Sequence, residues 1–456
     1  MDRSLLAVIG GTFTLRFSTA LTGTLLVYYL AELPRHGGAR VGALVVGAFA
    51  ATFFVAELVL SPFFGLLSDR WGHHRVMQFG PLFGAVAVIM TGLSANLLVL
   101  GITRWLEGAS TAASVPSILG YVALATALDE GLRGRAVARF EAATLAGLGV
   151  GIVAAGPLYQ AIGPRAFFLN AVFYMGSLAI YRYGVRVPAE ARLAAAVERP
   201  RRYGWRRYGD LLRSSHVWLL APTWIAVNAA IGLWTAQSIF QLVRQRDPRF
   251  ADQLLVGGLT PVEVSLGLAV GLAIFFAGLL YWGNRFKRYR RTTIIFYGIA
   301  GGAVMIAAGI LFNHSAGMPV PLRLGFAVGL AAGLFVLAGA TPAALGLLAD
   351  MSEAFPHDRG AIMGLYSVFL ALGNIGGSLI GGVAAELRAI DGLLGATLVL
   401  LAIALVPLFQ LRTFEHRLAP GPAAPPGGTS SPEAEPAEPA RAGAAGGREL
   451  EGSEGL

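Results

Sequence analysis

Gly65-Leu66-Leu67-Ser68-Asp69-Arg70-Trp71-Gly72-His73-His74-Arg75 is a short, charged, glycine-marked stretch between two apolar runs, at 41–67 and 76–94. Each run is long enough to cross a bilayer as a helix. The stretch therefore reads as the tight loop joining two membrane-spanning helices on one membrane face. Asp69 and Arg70 belong where the hydrocarbon ends, because a charge is expensive any deeper. Gly65 is expected to let two helix backbones approach closely. Gly72 is expected to reverse the chain with positive φ.

Composition extends this reading to the whole chain. Of 456 residues, 55% are apolar and 13% charged, and the mean hydropathy is +0.64. A soluble protein of this size carries about twice that charged share. The apolar segments are continuous runs rather than alternating strands, so the expected class is an all-α integral membrane protein and not a barrel. The 60 glycines suit helices that pack backbone to backbone. With no cysteine there is no disulfide framework, thiol chemistry or cysteine metal site. Only Asp2 and Arg3 precede a first apolar run long enough to remain a span, so no cleavable signal peptide is expected.

Twelve spans are expected, at about 5–30, 41–66, 76–95, 97–127, 136–160, 166–183, 217–240, 263–283, 292–312, 322–349, 361–383 and 392–411. With a cytoplasmic N-terminus, cytoplasmic loops and ends hold 25 of the 35 basic residues and external loops hold 8. That bias is the positive-inside pattern, and it puts both termini in the cytoplasm. It also accounts for the net charge of +9, so a nucleic-acid partner is set aside. The longest polar interruption, 184–215, carries Arg199, Arg201, Arg202, Arg206 and Arg207 among Tyr203, Trp205 and Tyr208. It reads as a basic cytoplasmic linker lying on anionic lipid. It divides an N-terminal six-helix half (1–183) from a C-terminal one (216–412). Residues 413–456, rich in Ala, Pro, Gly, Glu and Ser, read as a disordered cytoplasmic tail.

The two halves share a pattern. Pro116, Leu119, Gly120, Ala123, Gly134, Gly147, Gly151 and Gly156 have identical partners 226 residues later, at Pro342, Leu345, Gly346, Ala349, Gly360, Gly373, Gly377 and Gly382. A worn copy of the opening loop, Asn284-Arg285-Phe286-Lys287-Arg288, follows the eighth span. Two six-helix repeats in one orientation imply a central cavity between them at mid-membrane.

The opening loop, as Gly-x-Leu-small-Asp-Arg-x-Gly-basic-basic, resembles the signature between helices 2 and 3 of the major facilitator superfamily of secondary transporters. His73 and His74 stand where that family usually has Arg or Lys, and Arg75 is the nearest strong base. The resemblance covers about residues 5–412. It implies alternating access, in which two halves rock about a central site. It also implies that Asp69 meets the start of span 11 near Gly360 in the outward-facing state. Asp129 or Glu130 would then take the basic residue of the loop. Arg104-Trp105-Leu106-Glu107-Gly108 is similar to the family's Arg-x-x-Gln-Gly motif, associated there with proton transfer, with Glu107 in place of Gln. Gly147, Gly151, Gly156 and Pro157 resemble the helix 5 motif of drug/proton antiporters, although close helix packing explains these glycines and Gly373, Gly377 and Gly382 equally well.

Polar residues inside the spans are the candidates for chemistry. Arg16 keeps its charge, so it needs a carboxylate, water or an anionic substrate. Glu57 can bind and release a proton, and its depth allows it to face Arg16; a fixed salt bridge is the competing reading. Arg104 and Glu107 are three apart and can pair on one helix face. Glu141, at the start of the fifth span, reads as interfacial. Asn228 and Asn374 are candidate cavity residues of the second half, with Trp224, Trp234, Gln237 and Tyr366 near them; bonding between helices is the alternative for the amides.

No Gly-x-x-x-x-Gly-Lys-Ser/Thr loop is present, so ATP hydrolysis is not the energy source and no enzymatic reaction or cofactor is expected. No metal-ligand spacing is present either. The expected function is secondary transport with H⁺ as coupling ion: export of small amphipathic molecules by a monomer in a bacterial plasma membrane. Uptake of a small nutrient or organic anion, a lipid flippase and a non-transporting membrane sensor or scaffold are the alternatives.

Overall fold

The computed structural model describes residues 3–127, 129–186, 217–285, 288–353 and 359–418. All but the first few residues of the expected linker and tail lie outside them. The N-terminal half contains α1 (Arg3–Glu32), α2 (Ala43–Trp71), the single turn α3 (His73–Val76), α4 (Phe79–Leu93), α5 (Leu97–Ala125), α6 (Glu130–Ile162) and α7 (Ala166–Ala179). The C-terminal half contains α8 (Val217–Val243), α9 (Pro261–Gly283), α10 (Arg291–Asn313), α11 (Val320–Leu337), α12 (Ala340–Glu353) and α13 (Arg359–Leu418). No strand occurs among the described residues. The segment expected as one span at 322–349 is interrupted by a turn at Ala338 and Gly339, and the fifth helix starts at Glu130, six residues before the expected 136.

Among the described residues, ten stretches are long and apolar enough to cross a membrane. Two of them, Gly131–Gly184 and Ser367–Thr413, run 54 and 47 residues, about twice the ~20 that one crossing needs. Each holds one backbone break. In the first, Ile162 (φ −129°, ψ 2°) precedes Gly163 (φ 58°, ψ −139°). In the second, Arg388 (φ −139°, ψ 21°) precedes Ala389 (φ 47°, ψ −126°). The two breaks lie 226 residues apart and have nearly the same dihedrals, so the sequence repeat is also a repeat of conformation. Glycine adopts this region freely, whereas an L side chain is strained there by about 1–3 kcal/mol. Ala389→Gly is therefore expected to stabilise the protein by about 1 kcal/mol, read as a higher midpoint of thermal unfolding in detergent. An unchanged or lowered midpoint would count against that strain.

The repeated glycines make matching contacts. A methyl group on Gly147 would lie 2.6 Å from Phe13 O and 2.9 Å from Arg16 Cβ on α1. On Gly373 it would lie 2.7 Å from Ile225 O and 2.6 Å from Asn228 Cβ on α8. One turn on, Gly151 faces Phe17 O and Gly377 faces Ala229 O. Only hydrogen at these positions lets α6 lie against α1, and α13 against α8, at backbone distance.

The halves are sealed at the end away from the Gly65–Arg75 loop. Tyr28 Oη donates to Pro261 O (3.3 Å), and Gly156 N donates to Ser265 Oγ (3.0 Å). On the other side of the seam, Gln237 Nε2 donates to Ala43 O (2.7 Å) and Ala43 N to Glu386 Oε2 (2.8 Å). Gly156 and Gly382 face the opposite half here, Gly156 against Pro261 and Ser265, and Gly382 against Ala43 and Leu44.

Candidate functional site

Three helices of the N-terminal half bring charge together. Arg16, on α1, interacts electrostatically with Glu57 of α2 and with Glu141 of α6. It closes a direct ion pair with neither. Glu57 is half-buried, and Ser61 Oγ donates to its backbone carbonyl at 2.6 Å. Glu141, which reads from sequence as interfacial, lies within reach of the Arg16 charge. The glycines explain how the cluster forms: Gly147 holds α6 against α1 beside Arg16, and Gly108 of α5 packs on α2, where a methyl group would lie 3.2 Å from Glu57 N.

Arg104 and Glu107 form a separate pair on α5. The two side chains are ion-paired and buried, Glu107 being 1% exposed. The Arg104 guanidinium also lies 5.0 Å from the centre of the Phe53 ring, a cation–π distance. Glu107 Oε1 has no hydrogen-bond partner. Tyr174 of α7, buried against Gly84, is the further polar group that feels this pair. The N-terminal half thus holds two acid–base groupings, one open and one closed.

The C-terminal half answers with amides. Gly147 faces Arg16 and Gly373 faces Asn228, so Asn228 occupies on α8 the place that Arg16 occupies on α1. Asn228 Nδ2 donates to Trp224 O (2.8 Å), and Asn374 Nδ2 donates to Leu370 O (2.9 Å). Both bonds run along the residue's own helix, not between helices. Trp234 Nε1 donates to Thr397 Oγ1 (2.8 Å), while Gln237 is taken up in the seam. The side chain of Tyr366 lies outside the described residues.

In the opening loop, Gly72 reverses the chain at φ 92°. Asp69, Arg70 and Arg75 are exposed. His73 packs on Gly120 of α5, with Nδ1 3.0 Å from Ser68 Oγ and Nε2 3.9 Å from Asp69 Oδ1. Asp129 caps α6, its Oδ1 accepting from Leu132 N at 2.8 Å. Among the described residues, a methyl group on Gly65 would meet only Pro116 Cβ, at 4.0 Å. The close backbone approach expected at Gly65 occurs instead at Gly108, where α5 meets α2.

A family model described as Major Facilitator Superfamily matches residues 8–248. The chain belongs to the major facilitator superfamily. Multidrug resistance protein 2 of Bacillus subtilis (strain 168) is 24% identical to this major facilitator over 350 residues, covering 75% of this chain and 80% of the relative. Multidrug resistance protein 1 of the same strain is 22% identical over 342 residues, covering 74% and 79%. The solved structure of nucleoside transporter NupG superposes with a TM-score of 0.68, covers 91% of this chain and 99% of its own, and is 13% identical. At that identity the likeness is one of fold.

As a member of this superfamily the chain is a multi-pass membrane transporter and not an enzyme. Sequence reading takes Glu141 as interfacial only and does not single out Gln160 or Glu386. All three stand near the expected edges of spans, where polar residues are ordinary, and only the packing of helices against one another separates them from interface anchors.

Proposed function

We propose that this major facilitator exports small amphipathic organic molecules in exchange for protons. It does so by alternating access between two six-helix halves, 1–183 and 216–412, with twelve spans, a basic linker at 184–215 and a tail at 413–456. In this reading it works as a monomer in a bacterial plasma membrane, with both termini cytoplasmic.

The observation that carries the reading is that Arg16 lies within electrostatic reach of two carboxylates, Glu57 and Glu141, and closes an ion pair with neither. If the guanidinium engages Glu57, Glu141 is left to water; if it engages Glu141, Glu57 is left to take a proton. A one-to-one salt bridge has no such freedom, and an intramembrane carboxylate such as Glu57 marks a proton relay. Two acids against one base also leave little positive charge for an organic anion. The amides of the second half suit cargo held by shape and apolar contact with a few oriented hydrogen bonds. The relatives named for multidrug resistance support export.

The test is proton movement in proteoliposomes holding purified protein, with a pH-sensitive dye inside and candidate solutes added outside. Protons moving against the solute are expected. Protons moving with it would overturn export in favour of uptake. No flux and no solute binding would overturn transport in favour of a sensor or scaffold.

A further inference from the structure

The sealed end carries a pair of matching contacts between the two halves. Glu386 lies near the end of the first segment of α13. Its Oε2 accepts the N–H of Ala43, the first residue of α2, at 2.8 Å. The residue in the N-cap place is Gly42, which has no side chain with which to cap its own helix. A methyl group on Gly42 would lie 2.8 Å from the same oxygen. A carboxylate of one half therefore caps a helix of the other.

The repeat supplies a counterpart. Gln160 stands 226 residues before Glu386. Its Oε1 accepts the N–H of Val262, the second residue of α9, at 3.3 Å. The two sides of the seam thus hold an acceptor at the same place, neutral on one side and anionic on the other. A carboxylate at a helix N-terminus gains from the helix dipole and from a charge-assisted hydrogen bond, whereas an amide makes only a neutral one.

We propose that Glu386 is a positioning residue of the transport cycle: its carboxylate latches the start of α2 and holds the outer end shut, and Gln160 is its weaker, uncharged counterpart. This rests on the alternating-access reading above. Arg244 and Arg249, in the stretch after α8, lie in the field of Glu386. Asp247 sits between them, 3.4 Å from Arg244 Nη2 and 2.7 Å from Arg249 Nη2. Hydrogen bonds from Arg249 hold its carboxyl down at about 2, so it stays charged and keeps both arginines engaged. Glu386 is therefore left to the α2 terminus while the seam is closed.

The chain contains no cysteine, so a single reporter can be placed without altering the rest. Ser265 is 1% exposed and accepts the hydrogen bond from Gly156 N across the seam. In Ser265→Cys protein, a membrane-impermeant maleimide is added to each side in turn without substrate, and the labelling rate is followed. Glu386→Gln keeps shape and removes charge, and is expected to raise the rate from the outer side about fivefold. Glu386→Ala is expected to raise it at least as much, and Gln160→Glu to lower it. Parent rates in folded Glu386→Gln and Glu386→Ala proteins would overturn the latch. A rise with Ala but not Gln would overturn the assignment to charge. A reporter that labels from the outer side at a measurable rate yet ignores Glu386 would sink the latch alone; one that never labels in any variant would sink the alternating-access reading with it.

Discussion

Glu57→Gln is expected to abolish most of the proton movement triggered by solute while leaving solute exchange across the membrane in place. The glutamine fills the same space on α2 near Arg16, but it can neither carry nor release a proton at neutral pH. Coupling free energies between two sites run about 1–3 kcal/mol, so the fall is roughly five- to 150-fold. Exchange of labelled for unlabelled solute needs no net proton transfer, and it separates lost coupling from lost protein. Loss of both together would make Glu57 a structural residue. Proton flux unchanged in the variant would move coupling to Glu141, which shares Arg16, or to Glu107 on α5.

Arg104→Leu is expected to be among the most damaging single substitutions in the membrane region. It leaves the Glu107 carboxylate, 1% exposed and already lacking a partner for Oε1, without its counter-ion. Breaking a buried pair from one side costs about 3–5 kcal/mol, because an uncompensated charge remains. Removing both partners is much milder, since the desolvation of the two ions disappears with them. Arg104→Leu/Glu107→Leu should therefore recover most of the loss seen in Arg104→Leu, and a double-mutant cycle on thermal unfolding in detergent reads the difference. Glu107→Gln should lie between, because Arg104 keeps the Phe53 ring and gains an amide acceptor. Equal losses in the single and double variants would show that the pair is not the source of the cost.

Much of this was legible in sequence because bilayers impose simple rules. Apolar runs of helical length mark the crossings, and a charge inside one stands out; Arg16, Glu57, Arg104 and Glu107 were all visible for that reason. The offset of 226 was visible too, and it extends to a pair of residues that share no identity: Gly163 and Ala389 differ in side chain but match in conformation. What escaped were partners. Glu141 and Glu386 lie where a charge is cheap, so their types say nothing until the helices are packed. The amides Asn228 and Asn374 stand out in the sequence, yet the direction of their bonds depends on backbone carbonyls that no pattern of residue types reveals.

The seam has a consequence for anyone working with the protein. At Gly156, and at Gly47 where α2 meets Ser378 and Gly382, there is no room for even a methyl group while the halves touch. In the alternating-access reading, the same positions would be under no such restriction once the halves part. A larger residue there acts as a doorstop, penalising one arrangement and sparing the other. One substitution would then count as a defect in a flux assay and as an asset on the microscope grid, where a single shape is worth more than a working cycle.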